Sequence, residues 1–131
     1  MIIAALDLGL KRIGAALCFD GKIVMPQTPI LRKNRVQASQ ETDVFLEEWN
    51  VDTLVVGLPK GSSKDEMERR IRHFVSLLKY RGDVVFIDED FSSYEAKESA
   101  KSVFKQKKDG KIDSMAAAVI LNRYLDTLKK K

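Results

Sequence analysis

The sequence has one cysteine, one histidine and three prolines in 131 residues. A single cysteine excludes an intramolecular disulfide, and we expect Cys18, in an apolar run, to be a small core residue. One cysteine and one histidine are also too few for the ligand sets that zinc prefers. The sequence has neither the pattern of a secretory leader nor an apolar run of membrane-spanning length, so we expect a soluble, cytoplasmic protein.

The composition is otherwise that of an ordinary folded domain. Hydrophobic residues make up 44% of the chain, which is sufficient for one core. Lysine and arginine number 23 against 19 acidic residues, which gives a formal charge of +4 and a pI near 9.2. This excess weakly favours a polyanionic partner. We expect a single domain over residues 1–131.

The first indication of a functional site lies around Asp7. The apolar run Ile2–Leu8 is long enough for a buried strand, yet it carries a carboxylate near its end. A buried carboxylate is costly unless a cation, a metal or a hydrogen-bond donor meets it. Gly9 lets the backbone approach a ligand closely, and Lys11 and Arg12 suit an anion held beside a metal. The alternative is an aspartate in a turn followed by two solvated cations.

The hydrophobic pattern predicts a mixed α/β fold. Three antiparallel strands come first, joined by a hairpin at Asp20-Gly21, and the third should end at Met25 because Pro26 and Pro29 discourage pairing. The elements predicted after them are a helix from Asn34 with Trp49 in the core, a strand over Thr53–Leu58, a helix with a capping box at Ser63, a strand over Val84–Ile87, a helix from Ser92, and a helix from Ile112 to Leu128. Right-handed crossovers then give a five-stranded sheet of order 3-2-1-4-5 with flanking helices.

This sheet order brings acidic residues to one edge. Ligand sites of open α/β sheets lie at the carboxyl ends of the parallel strands. Asp7 ends the first strand, the cluster Asp88 to Asp90 ends the fifth, and Asp113 can reach the same edge from the first turn of the last helix. Clustered carboxylates repel one another, so oxygen ligands alone predict Mg²⁺ or Mn²⁺. Two such ions about 4 Å apart could prepare a hydroxide and stabilise the departing oxygen of a phosphodiester. The alternative for Asp113 is a favourable interaction with its own helix dipole.

Four segments carry a family resemblance, and they occur in order over nearly the whole chain. They are DLGLKRIG at 7–14, VVGLP at 55–59, the segment 88–96 with Asp88-Glu89 and Ser92-Ser93-Tyr94-Glu95-Ala96, and GKIDSMAA at 110–117. Together they resemble the YqgF/RuvX family of the RNase H-like superfamily. Members of that family are described as pre-16S rRNA nucleases and as Holliday-junction-resolvase-like proteins.

The resemblance implies an RNase H-like fold and a metal-dependent nuclease. By resemblance, Asp7, Glu89 and Asp113 take the positions of the catalytic, metal-binding triad, with Mg²⁺ or Mn²⁺ as the cofactor. Lys11 and Arg12 would then lie beside the substrate. The implied activity is hydrolysis of phosphodiester bonds in structured nucleic acid, with processing of the 5′ end of precursor 16S rRNA as the expected role.

Other functions stay open at this point. A Holliday junction resolvase acting on branched DNA is the nearest alternative, and Asp90 and Phe91, where the family usually has a basic and an aliphatic residue, bear on this substrate preference. An ATP-binding module is a second class, because Asp-x-Gly after a first strand also resembles the phosphate loop of the actin and sugar-kinase fold. The absence of a duplicated second half argues against it. A non-catalytic nucleic-acid-binding protein is a third class, which an intact triad disfavours.

A basic segment precedes Asp113 by only a few residues. Because three carboxylates repel a phosphate backbone, we expect the lysines of this segment to bind substrate: Lys105, Lys107, Lys108 and Lys111. The alternative is a solvated linker. In that case the contacts would be sought at Arg32, Lys33 and Arg35 or on the helix face that carries Arg69 to Arg72.

Overall fold

The computed structural model describes residues 1–9, 11–58, 64–88 and 111–129. Five strands of these ranges form one sheet of order β3-β2-β1-β4-β5, as the sequence predicts. The strands are β1 (Ile3–Leu8), β2 (Arg12–Cys18), β3 (Val24–Leu31), β4 (Thr53–Leu58) and β5 (Asp83–Asp88). The helices of the same ranges are α1 (Arg35–Glu48), α2 (Lys64–Ser76) and α3 (Lys111–Lys129).

The strand directions define a carboxyl edge of the sheet. β1 pairs antiparallel with β2, and β2 pairs antiparallel with β3. β4 runs parallel to β1 and to β5, so β1, β4 and β5 all end at the same edge, which we call the carboxyl edge. α1 and α2 begin at this edge, and ligand sites of such sheets lie there.

The core lies in two layers, one on each face of the sheet. α1 and α2 cover one face, where Leu46 and Phe74 pack with Leu6 and Val56. α3 covers the other face, where Leu121 packs with residues of β1, β2 and β4 that include Ile3, Ala16, Cys18 and Val55. Cys18 is fully buried, as predicted. Alternate residues of β1 face the two layers, which fixes the orientation of every side chain along it.

The extent of β3 differs from the prediction. The strand does not end at Met25 but continues through Pro26 and Pro29 to Leu31. Pro26 is tolerated because β3 is an edge strand. Pro29 lies at a β-bulge, because the register shifts between the pair Ile13–Ile30 and the pair Ala15–Gln27. The prolines therefore mark an edge and a bulge rather than the end of the strand.

The helix boundaries agree with the sequence more closely. Asn34 caps α1, since its side chain accepts a hydrogen bond from the Gln37 backbone N–H at 2.8 Å. α3 begins and ends within one residue of the predicted bounds. The prediction that Trp49 lies in the core is wrong: Trp49 caps the C-terminus of α1, is 38% exposed and packs against Phe19 with ring centroids 5.6 Å apart. Ser63 and the helix predicted from Ser92 lie outside the described residues.

Candidate active site

Asp7 is the penultimate residue of β1 and faces the α3 layer. Leu6 and Leu8, its neighbours in the strand, belong to the core under α1 and α2, whereas Ile3 and Ala5 belong to the core under α3. Strand alternation places Asp7 on the same face as Ile3 and Ala5. Its side chain is half-buried at the carboxyl edge. The position matches the one that the sequence predicts for the first acidic residue.

Glycines lie beside Asp7 on both neighbouring strands. Gly14 of β2 pairs directly with it. On the other side of β1, Leu6 pairs with Val56 of β4. The next residue of β4, Gly57, therefore lies beside Asp7. Because glycine has no side chain, neither neighbouring strand places one beside Asp7 on the α3 face. Both glycines lie in the segments 7–14 and 55–59 that carry the family resemblance, but the sequence does not predict this arrangement.

The loop between β1 and β2 requires glycine at position 9. The Gly9 N–H lies 3.1 Å from the Asp7 carbonyl oxygen and 3.0 Å from the Arg12 carbonyl oxygen. A Cβ atom on Gly9 would lie 2.6 Å from that Arg12 oxygen, which is closer than real Cβ contacts. The tight turn holds Lys11 and Arg12, both exposed, at the carboxyl edge next to Asp7.

The first turn of α3 is fixed to β2 and β3 by a buried serine. The Ser114 hydroxyl accepts a hydrogen bond from the Ala15 N–H at 3.3 Å and donates one to the Gln27 carbonyl. Ala15 and Gln27 lie at the β-bulge, and Ala15 follows the residue that pairs with Asp7. The backbone of Asp113, immediately before Ser114, therefore starts α3 on the Asp7 face. The role of Ser114 was not predicted, although a lone hydroxyl on an alanine-rich helix face could have suggested it.

The second acidic segment follows β5. Asp88 is the last residue of β5 and pairs with Leu58 of β4. Adjacent strands lie about 4.8 Å apart, so β5 is roughly 10 Å from β1 across β4. Glu89, Asp90, Phe91, Lys105, Lys107 and Lys108 lie outside the described residues. Asp113 and Lys111 are described only as helical backbone. The triad and the basic segment therefore stay predictions.

The chemistry of the described donors suits a hard cation. Within residues 1–9, 11–58, 64–88 and 111–129, no three His, Cys, Asp or Glu side chains form a group that could hold a metal. Of the three predicted ligands, only Asp7 has a described side chain. It offers carboxylate oxygen in a half-buried position, which fits Mg²⁺ or Mn²⁺. In the same ranges no helix is both long and apolar enough to cross a membrane.

Comparison with known proteins gives consistent sequence matches. The model of a family described as "RuvX: Holliday junction resolvase" matches residues 1–127. A protein of Sulfurovum sp. (strain NBC37-1), named "Putative pre-16S rRNA nuclease", is 63% identical over 95% of this chain and 98% of its own length. A protein of the same name from Campylobacter lari is 52% identical over 92% of this chain and 94% of its own length.

Solved structures share the fold. A Fowlpox virus resolvase in complex with Holliday junction DNA matches with a TM-score of 0.59 and 19% identity, covering 98% of this chain and 99% of that one. RuvC of T. thermophilus in complex with a Holliday junction substrate matches with a TM-score of 0.59 and 12% identity, covering 97% of each chain. At these identities the similarity is one of architecture, and it confirms the predicted RNase H-like sheet.

Proposed function

The chain belongs to the RuvX family, and from that premise we propose that it is a metal-dependent nuclease, a single domain over residues 1–131 that hydrolyses phosphodiester bonds of structured nucleic acid. Precursor 16S rRNA is the proposed substrate, because relatives up to 63% identical are named for it. Cleavage near its 5′ end is the role that the family resemblance implies. One structural observation supports the chemistry above all. Asp7 lies at the carboxyl edge between two glycines, on the face against which α3 begins at its Asp113 end.

The proposed site divides its tasks among a few residues. Asp7, Glu89 and Asp113 would hold one or two Mg²⁺ or Mn²⁺ ions, which supply Lewis-acid activation of water and charge stabilisation of the departing oxygen. Lys11 and Arg12 offset the repulsion between the carboxylates and the substrate phosphates. The glycines beside Asp7 place no side chain next to its carboxylate. The buried Ser114 holds the first turn of α3, and with it Asp113, in place.

Branched DNA is the second candidate substrate. The observation that favours it is the description of the matching family model as a Holliday junction resolvase. The family match over 127 residues disfavours the ATP-binding module considered from the sequence. A non-catalytic binding protein would leave both substrates intact, which distinguishes it from either nuclease.

Cleavage assays with matched variants test the proposal. Purified wild-type protein and the variants Asp7→Asn, Glu89→Gln and Asp113→Asn are incubated with labelled precursor 16S rRNA and with a four-way DNA junction in Mg²⁺. Loss of a residue that hydrogen-bonds to a metal ligand lowers activity by about 10- to 100-fold, so loss of a ligand itself should lower the cleavage rate by more than about 100-fold. Asp126→Asn, on the exposed face of α3, is the matched control and should cleave normally.

The outcomes separate the candidates. Wild-type rates in one of the three variants would remove that residue from the triad, and wild-type rates in all three would contradict the proposed site. A protein that leaves both substrates uncut would be a binding protein. The ratio of kcat/KM for the two substrates decides between precursor rRNA and the DNA junction.

A further inference from the structure

Three arginines converge on a small pocket at the carboxyl edge, on the face opposite Asp7. Arg32 follows β3, Arg35 is the first residue of α1, and Arg70 lies in α2. The pocket has a volume of about 50 Å³. We call it the arginine pocket, and its lining is completed by Leu8, Met67, Ile71 and Phe74. Since Leu8 directly follows Asp7 in β1, the pocket and the carboxylate lie on the two sides of the same strand end.

Arg32 is held in place and links the pocket to the β1–β2 loop. Its guanidinium Nη1 donates to the Gly9 carbonyl at 3.0 Å, and its backbone N–H donates to the Lys11 carbonyl at 2.8 Å. The guanidinium also lies over the Phe74 ring, 5.4 Å from its centroid. Among the described residues, no second acceptor bonds to the Arg32 guanidinium. The loop that they hold is the one that begins two residues after Asp7.

The arrangement is electrostatically unfavourable without an anion. Burial lowers the pKa of Arg32, and the neighbouring charges of Arg35 and Arg70 lower it further. Arg35 also occupies the first turn of α1, where the positive end of the helix dipole disfavours a cation and no acidic residue compensates. Among the described carboxylates, only Glu66 forms an ion pair with any of the three, with Arg70 at 2.7 Å. Both members of that pair are more than half exposed, so it contributes little.

We propose that the arginine pocket binds a backbone phosphate of the nucleic acid, close to the phosphodiester that is cleaved at Asp7. Guanidinium groups bind phosphate oxygens in a bidentate manner, which suits a site built from arginine rather than lysine. A volume of about 50 Å³ admits phosphate oxygens but not a base. A strand that crosses the β1–β2 loop would place one phosphate at the Asp7 face and another at the pocket.

The proposal rests on the proposed function, because the backbone phosphate belongs to the nuclease substrate. A free mononucleotide would present the same chemistry. The nucleic acid is favoured by position, since Lys11 and Arg12 continue the positive charge along the same edge. A free mononucleotide would not require positive charges outside the pocket, whereas a nucleic-acid backbone presents several phosphates to them.

Salt-dependent binding measures the proposed phosphate interactions directly. An RNA hairpin is titrated with Asp7→Asn protein, which the proposed function predicts to bind without cutting, and log affinity is plotted against log salt. Adding R35Q and R70Q together should weaken binding to unrelated sequences. The double change should also flatten the slope by about 0.7 to 0.9, the change expected when the one phosphate in the pocket is no longer neutralised. Arg32 is kept because it supports the loop.

R72Q provides the matched control. Arg72 lies on the same helix as Arg70 and forms the same kind of i,i+4 ion pair, with Glu68 at 3.2 Å and similar exposure. Its guanidinium lies over Phe86, 4.5 Å from the ring centroid, and not in the pocket. The R72Q slope should equal that of the Asp7→Asn parent. The melting temperature of R35Q/R70Q should stay equal or rise, because like charges are removed, which separates a defect in binding from a defect in folding.

Each outcome has one interpretation. Equal slopes for R35Q/R70Q and R72Q would overturn the arginine pocket as a phosphate site. If adenosine monophosphate stabilises wild type but not R35Q/R70Q while the RNA slope stays unchanged, the pocket binds free nucleotides and the proposal is wrong. If the slope falls as expected but Asp7→Asn still cleaves at the wild-type rate, the proposed active site fails and the phosphate site stands.

Discussion

The Ser114 hydroxyl lies 3.3 Å from the Ala15 backbone nitrogen, in the interior of the protein, and this contact fixes α3 to β2. The same hydroxyl donates to the Gln27 carbonyl, so one side chain joins β2 and β3 at the bulge. Both residues of this contact are next to a predicted acidic position. Ser114 directly follows Asp113, and Ala15 directly follows Gly14, the residue that pairs with Asp7.

Ser114→Ala should lower both stability and activity. The variant leaves the buried Ala15 N–H and the partly buried Gln27 carbonyl without their partner, which costs about 1 to 3 kcal/mol in the free energy of unfolding. Urea denaturation measures this decrease. Cleavage should fall further than the unfolded fraction explains, because the first turn of α3 is released. Ser76→Ala is the control, since the Ser76 hydroxyl donates to the His73 carbonyl on the exposed end of α2 and its removal should change neither property.

Gly9→Ala should displace the loop that carries Lys11 and Arg12. The added Cβ would meet the Arg12 carbonyl oxygen at 2.6 Å, so the backbone must shift. A misplacement of about 1 Å at a catalytic site can reduce the rate by roughly 100-fold. Gly21→Ala is the comparison, because Gly21 has a φ of +76° with nothing within 4 Å of the added Cβ. It should cost about 1 to 2 kcal/mol of stability, because alanine is strained at a positive φ, and it should leave cleavage unchanged. Equal activities of the two variants would contradict the role of the Gly9 turn.

Mg²⁺ or Mn²⁺ should raise the melting temperature of the wild-type protein. An ion that binds only the folded state adds about 1.4 kcal/mol at ten times its Kd and about 2.7 kcal/mol at one hundred times. The variant with Asp7→Asn, Glu89→Gln and Asp113→Asn should lose this response, and it should be at least as stable as wild type without metal because repulsion between carboxylates is removed. A shift that persists in the triple variant would place the ion elsewhere.

Replacing the lysines before α3 should weaken nucleic-acid binding. Gln at Lys105, Lys107, Lys108 and Lys111 should flatten the salt dependence of log affinity by about 0.7 to 0.9 for each phosphate that the lysines neutralise, while the rate at saturating substrate changes far less. A smaller pair of variants gives the matched comparison. K107Q/K108Q is compared with K22Q/K79Q, whose lysines lie at the opposite edge of the sheet. Identical slopes would make the segment a linker.

The sequence alone was sufficient for the strand order and the family. Apolar runs, turn residues and helix caps are local signals, and the handedness of crossovers leaves few ways to connect them, so the sheet and the position of Asp7 at its edge followed. These local signals gave wrong predictions where strand pairing and helix packing determine how far an element extends or how exposed a residue is. β3 continues through Pro26 and Pro29 because it is an edge strand with a bulge, and Trp49 is partly exposed because α1 ends there.

The tertiary structure decided which residues meet at the edge. Residues distant in sequence come together only after folding: the two glycines beside Asp7, the bond from Ser114 to Ala15, and the convergence of Arg32, Arg35 and Arg70. No periodicity encodes these contacts, since each depends on strand register and on how helices pack over the sheet. Glu89 and the lysines at 105–108 lie outside the described residues, so their roles still come from the sequence. The sequence therefore determined the acidic residue at the sheet edge, and packing determined which residues lie around it.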